Sequence, residues 1–446
     1  MYYRDAASYV SNNCMTTVMI MNEKMSDAML KSYLRILSVV SISIVVFNFP
    51  MVSEAGCGLQ LNREIQKIVD DDRAFYHIPA VQVSVFCPGD SAPRDFVSGT
   101  TTVHGEVLLR SPHIFQIGSE TKSFIATILL QLEGENQISL DDPLQKWLPT
   151  IRPDWRQVSI RQLLNHTSGI YNYTDAIEEN YYATGYLDTD KQWTAEALLH
   201  LVDEMPAYFE PGTGWHYSNT NYVLAGMVIE QVTHQSLHDV IDIRLVKPLH
   251  LKHTDYIIDR YSEERLQHMA HGYSDRGYFP DEPKDVTNYT NSWSNAAGAM
   301  NSTSHDIAIW FRHLVRGDLL APAQMNEFNS FVDLYNGQAL PSDAGESGYG
   351  FGIFRDDDLF DERAFWHLGG TLGYMSLMTW LTCNQVVVAA NVDHLTTSYD
   401  IYLLTRDVVS YIQATSPDKQ CHAMRTNSKM SSHHTDIFKY DIPTFH

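Results

Sequence analysis

Ser119-Glu120-Thr121-Lys122-Ser123-Phe124-Ile125-Ala126-Thr127-Ile128-Leu129-Leu130-Gln131-Leu132 sets a hydroxyl and an amine three residues apart at the head of an apolar run. The run is long enough for a buried helix, and on a helix residues i and i+3 are neighbours. A serine in that first turn lies at the positive end of the helix dipole. A lysine beside it can take its proton once burial favours the neutral amine. The spacing predicts a nucleophilic Ser119 with Lys122 as its proton partner. Another S-x-x-K, Ser416-Pro417-Asp418-Lys419, contains a proline, lies in a polar stretch and opens no apolar run, so it reads as coincidence.

Two further stretches keep the first company. Tyr217-Ser218-Asn219 follows the turn-rich Pro211-Gly212-Thr213-Gly214 and precedes the apolar run 221–229, which predicts a loop entering a helix. Tyr289-Thr290-Asn291 has the same spacing without that frame. His367-Leu368-Gly369-Gly370 lies between 364–366 and 374–378, which read as strand edges, and its glycines let a strand edge approach a ligand closely.

In this order the three stretches match the plan of serine beta-lactamases and penicillin-binding proteins. From about Gly58 to Ala414 the chain resembles the family of low-molecular-mass DD-peptidases, class C beta-lactamases and related esterases. Leu163-Leu164-Asn165-His166-Thr167-Ser168-Gly169-Ile170 and the segments 294–298 and 302–306 add to the likeness. The resemblance implies that Ser119 attacks a carbonyl carbon and is acylated, with the N–H groups of Ser119 and Gly370 facing the oxyanion and Gly369 beside them. Lys122 and Tyr217 share the proton transfer, either being the base. Asn219 holds the substrate's amide oxygen. His367 stands where a K-T-G motif has lysine, supplying a positive field or a hydrogen bond to Tyr217.

One departure bears on substrate. DD-carboxypeptidases of this kind resemble His-Thr-Gly-Thr at the third motif and grip a terminal carboxylate with those threonines and an arginine on the preceding strand. Leu368 and Gly370 occupy the threonine positions here, and Phe354 falls where the arginine belongs, with Arg355 next to it. Side chains alternate along a strand, so Arg355 is expected to point away.

Periodicity predicts an α+β fold. An amphipathic helix near Leu61–Asp72 precedes strands at Val81–Phe86 and Asp95–Val103. Strands return at Phe365–Leu381 and Gln385–Asn391 before a closing helix near Tyr399–Ile412. The two ends of the chain would build an antiparallel sheet flanked by helices, with an all-helical insert, the arrangement of the beta-lactamase/transpeptidase-like fold. The expected division is 1–55 as an N-terminal extension and signal peptide, 58–414 as the catalytic domain, and 415–446 as a polar tail. Within the domain, about 58–118 and 295–414 form the α/β part and 119–294 the helical part.

Composition is ordinary for a globular chain, 44% hydrophobic and 19% charged over 446 residues. A formal charge of −23 argues against nucleic acid as partner, since phosphate binding needs a basic surface. Lys31 and Arg35 precede an apolar run at 36–47, with Ser53-Glu54-Ala55 offering small residues for cleavage. That reads as an export signal, with Met25 and Met29 as alternative starts and an uncleaved signal anchor as the alternative; a cleaved signal implies a periplasmic or secreted location and no tight membrane association. Cys57, Cys87, Cys383 and Cys421 then remain, an even number that permits disulfides in any of three pairings. His234 and His238 are spaced i,i+4 but no H-E-x-x-H frames them, and neither metal nor cofactor is called for. The expected protein is an exported acyl-serine hydrolase, most like a D-alanyl-D-alanine carboxypeptidase, acting on a small peptide of cell-wall type, an amide or an ester. Esterase, D-aminopeptidase and beta-lactamase are the alternatives within the family, and a catalytically silent binding protein the rival class.

Overall fold

The computed structural model describes residues 60–184, 188–274, 284–342, 345–357, 359–395 and 399–415, all within the unit Glu54–His446. The N-terminal apolar run, Cys57, Cys421, the S-x-x-K at 416–419 and the polar tail after Thr415 lie outside the described residues.

Continuous apolar runs at both ends of the chain become strands of one sheet. β1 (Ala80–Phe86) and β2 (Arg94–Gly99) come from the N-terminal side. β3 (Phe331–Asp333), β4 (Ala339–Leu340), β5 (Gly348–Tyr349), β6 (Phe354–Asp356), β7 (Ala364–Gly370), β8 (Met375–Leu381) and β9 (Val386–Val392) come from the C-terminal side. Their order is β2-β1-β9-β8-β7-β6-β5-β3-β4. The two ends meet where β1 pairs antiparallel with β9, Val81 opposite Val392 and Phe86 opposite Val387. Cys87 and Cys383 are both disulfide-bonded, and that register carries residue 87 to the turn between β8 and β9 where Cys383 lies. β2 ends at Gly99, short of the expected Val103. Its φ of +103 suits glycine, and a Cβ there would lie 1.9 Å from the Pro79 carbonyl oxygen.

Strands buried on both faces need apolar cover on both. Along β9, Val386, Val388, Ala390 and Val392 join one core cluster, while Val387 and Ala389 join the other. The first cluster is closed by α1 (Gln60–Tyr76), through Leu61, Ile65 and Val69, and by α7 (Ile401–Thr415), through Leu404, Val408 and Ile412. Each set recurs every four residues, one helical face. On the other side lie α2 (Thr121–Gly134) and α6 (Ser304–Val315). The Phe124 ring of α2 stacks on Trp310 of α6 at 3.8 Å, and the Trp310 indole donates to Ser123 Oγ at 3.0 Å. The helix that follows Ser119 is therefore a core element.

Between α2 and α6 the chain is mostly helix and loop, including α3 (Tyr173–Thr184), α4 (Asn219–Thr233) and the single turn α5 (Asn295–Gly298). It is not helical throughout. Asp255–Tyr256 pairs with Met300–Ser302, and Tyr273–Ser274 with His394–Leu395. Such two-residue pairings are made by tertiary contact, and local propensity does not announce them. No helix among the described residues is long and apolar enough to cross a membrane.

Asp72 of α1 accepts a hydrogen bond from the Tyr399 hydroxyl at 3.0 Å just ahead of α7. Burial outweighs that bond and pushes the carboxyl up from 3.8 to about 6, with Asp407 adding repulsion. The folded state therefore holds the proton more tightly than the unfolded chain between those values, and the ionised carboxylate destabilises the fold above them. Asp72→Asn, which keeps the acceptor, is expected to raise Tm by about 1–3 °C at pH 8. That gain should vanish below about pH 4, as read by thermal denaturation at both pH values.

Candidate active site

A short 3₁₀ turn, Gly118–Glu120, carries Ser119 into α2. Gly118 takes φ +48, and the Thr121 hydroxyl donates to its carbonyl at 2.6 Å. In such a turn residues i and i+3 eclipse, so Lys122 lies on Ser119. Lys122 is fully buried, and its Nζ donates to Ser119 Oγ at 2.7 Å, Asn219 Oδ1 at 2.8 Å and the Ala297 carbonyl at 2.8 Å. Two of these partners can only accept. The third, a hydroxyl, can also donate. Ser119 Oγ is thus within proton-transfer distance of an amine whose other two contacts are acceptors only.

Tyr217 ends the loop before α4, and its ring centroid lies 4.7 Å from Lys122 Nζ. Asn219 opens α4. Its backbone N–H donates to Asn172 Oδ1 at 2.9 Å and its amide nitrogen to Thr174 Oγ1 at 3.2 Å, which aims its oxygen at Lys122. Asn172 is held in turn by Asp175, 2.7 Å from its amide nitrogen, and Asp175 accepts from the Tyr208 hydroxyl at 2.6 Å. Burial raises the Asp175 carboxyl above its ordinary range.

The end of β7 closes the other side. Cβ atoms built on Gly118 and Gly369 would lie 2.4 Å from the Gly370 nitrogen and 2.0 Å from the Ile117 carbonyl oxygen. No side chain fits at either place, so the strand end presses directly on the turn carrying Ser119. Ser119, Asn219, Gly370, Tyr173, Thr174, Trp293, Ser294, Ala297 and Gly298 line one narrow cleft. Trp293 is thus in the wall. Tyr171 stacks on Tyr208 and donates to Glu179.

His367, on β7, is fully buried and its Nε2 lies 3.1 Å from the Tyr349 hydroxyl, with Nδ1 2.7 Å from the Leu368 carbonyl oxygen. Its ring centroid is 6.3 Å from that of Tyr217. Strand parity resolves Phe354 and Arg355. Phe354 stacks on Trp366 and lies against Tyr349 and His367. Arg355 donates to the carbonyls of Pro341 and Glu346 and covers the Phe331 ring. Tyr289 of the rival Y-x-N lies against Lys284. His234 is the left-handed cap of α4, and among the described residues no His, Cys, Asp and Glu cluster of metal-holding kind occurs.

The Ala297 carbonyl, Asn172, Thr174 and Tyr349 were not singled out from sequence. A backbone acceptor leaves no residue signature, and an asparagine two residues after the H-T-S-G-I stretch looks like any loop residue.

Residues 65–407 match the family model described as Beta-lactamase. Penicillin-binding protein 4* of Bacillus subtilis (strain 168) is 30% identical over 60% of this chain and 58% of its own length. Protein flp of Staphylococcus aureus is 27% identical over 74% of this chain and 63% of its own. The chain thus spans under two thirds of those relatives. Among solved structures, a D-stereospecific amidohydrolase from Streptomyces sp. superposes with TM-score 0.64 at 32% identity, covering 74% of this chain and 94% of that one. D-amino acid amidase from Ochrobactrum anthropi SV3, complexed with L-phenylalanine amide, gives 0.69 at 27%, covering 80% and 100%.

A methyl at Gly369 must displace β7 from the Ile117 carbonyl. Gly369→Ala is expected to lower kcat by about 10²–10³-fold, the loss typical when one oxyanion donor is misplaced. Steady-state kinetics with p-nitrophenyl acetate, beside circular dichroism to confirm folding, measure it.

Proposed function

We propose, for a chain that belongs to the beta-lactamase family of serine hydrolases, that it cleaves the amide bond of a D-amino-acid amide or short D-peptide whose leaving group carries no carboxylate. The Ser119 hydroxyl adds to the substrate carbonyl while its proton passes to Lys122, with the Tyr217 phenol beside them. The N–H groups of Ser119 and Gly370 stabilise the oxyanion. The proton moves on to the departing amine, and water resolves the acyl-Ser119 ester by the same route reversed.

One observation carries the leaving-group reading. Among the described residues the cleft lining contains no arginine or lysine, and Arg355, the cation next to the family's carboxylate-gripping position, donates to the carbonyls of Pro341 and Glu346. A C-terminal carboxylate entering this cleft would lose its hydration shell without gaining a charge partner, and buried unpaired charge is strongly disfavoured. A carboxamide suffers no such loss. The amidase relatives support this reading, and the penicillin-binding relative supports the second one, a D-alanyl-D-alanine carboxypeptidase. Disulfide-bonded Cys87 and Cys383 support an exported location, because such bonds persist in oxidising compartments.

Purified protein is expected to release ammonia from D-phenylalanine amide faster than from its L enantiomer, and at least about tenfold faster than it frees D-alanine from a peptide ending in D-Ala-D-Ala. Ser119→Ala should lower the rate by at least about 10³-fold. Faster cleavage of the D-Ala-D-Ala peptide, together with a stable fluorescent-penicillin adduct on Ser119 by intact mass, would instead establish the carboxypeptidase.

A further inference from the structure

His166 belongs to the H-T-S-G-I stretch, and the proton-transfer scheme gives it no part. It is fully buried, and it adopts the left-handed conformation at φ +61. Its carbonyl oxygen accepts from the His216 N–H at 3.1 Å. Its ring Nδ1 accepts from the Ser218 N–H at 3.2 Å and lies 3.0 Å from the Asn221 amide nitrogen. One residue thus holds the N–H groups of both neighbours of Tyr217, while its ring packs on the Tyr217 ring at 4.4 Å and the Tyr349 ring at 4.7 Å.

We propose that His166 is a positioning residue for the Tyr217 phenol, fixing the loop on both sides of that tyrosine through a neutral imidazole whose Nδ1 acts only as an acceptor. The proposal rests on the reading that Tyr217 serves proton transfer. A backbone N–H can only donate, so the Ser218 bond requires an unprotonated Nδ1 and puts the ring proton on Nε2. The surroundings favour that state. Burial, then Lys122, His367 and His216, hold His166 well below the ordinary imidazole range. The remaining rings packed on it are Tyr222 and Trp215. A protonated ring would turn Nδ1–H against the Ser218 N–H and release the loop. The left-handed backbone sets the ring's direction, and histidine and asparagine tolerate it better than most residues.

Asparagine offers an oxygen near the Nδ1 position and suits positive φ, whereas glutamine carries its polar atoms near the Nε2 position. With p-nitrophenyl acetate, His166→Asn is expected to keep kcat within about fivefold. His166→Gln should lose about 10²-fold in kcat, the effect of roughly 1 Å of misplacement, with KM within about threefold. Wild-type kcat in His166→Gln overturns the proposal, as does an equal loss in both variants when both are folded by circular dichroism. Tyr217→Phe judges the premise separately. Its retention of full kcat would remove the role of Tyr217 and the proposal with it, while a large loss there beside an active His166→Gln removes only the clamp. Should His166→Gln fail to fold, ¹⁵N-histidine NMR of the wild type decides, the His166 ring being identified as the signal missing in His166→Asn. Nδ1 is expected to stay unprotonated from about pH 5 to 8. A titration in that window, or a proton on Nδ1, overturns the proposal.

Discussion

A lysine amine with no solvent exposure, held by three oxygen acceptors, is the constraint from which the rest of this structure follows. Buried amines are tolerated only when hydrogen-bonded, and the acceptors around Lys122 come from separate parts of the chain. Ser119 precedes it on the same turn, Asn219 opens α4 and Ala297 lies on α5. Those helices must therefore pack close to α2. A Cβ on Gly226 of α4 would lie 2.6 Å from Ala296 Cβ, so the absence of a side chain there lets α5 approach and brings the Ala297 carbonyl to Lys122. The Phe124–Trp310 stack on the far side of α2 anchors the same helix under the sheet.

The sheet acts on the site through backbone. Ser376 Oγ donates to the Ile117 carbonyl at 2.9 Å, fixing the residue before Gly118 to β8. With glycines at 118, 369 and 370, the turn and the strand end meet with no side chain between them. Two histidines near the site are held below the ordinary imidazole range. His166 is depressed mainly by burial and then by Lys122, and burial likewise lowers His216, which stacks on Tyr208 at 3.7 Å.

Much of this was legible in the sequence because it rests on local pattern. The amphipathic α1, the apolar β1, β8 and β9 and the S-x-x-K turn are each encoded by neighbouring residues, and the structure places Ser119, Lys122, Tyr217 and Asn219 together. What escaped was encoded at a distance. The two-residue strands at 255–256 and 273–274 exist because partners at 300–302 and 394–395 reach them. Ala297 contributes a carbonyl, which any residue has. His166 was visible only as part of a stretch, and its hold on both neighbours of Tyr217 depends on a loop 50 residues on folding back over it.

Strand parity, finally, makes the substrate departure a property of a whole cluster. On β6, Phe354 and Arg355 point to opposite faces. Phe354 is wedged among Trp366 at 4.5 Å, Tyr349 at 4.6 Å, His367 at 5.4 Å and Trp215 at 6.5 Å. A guanidinium at 354 would enter an aromatic nest whose Tyr349 hydroxyl is already engaged with His367. A cation there needs room and hydrogen-bond acceptors, and although ring faces attract a cation, they supply neither the room nor strong acceptors. Arg355 in turn donates to the carbonyls of Pro341 and Glu346. Position 354 is thus occupied by an apolar ring held in an aromatic cluster, and that cluster also seats His367 on β7.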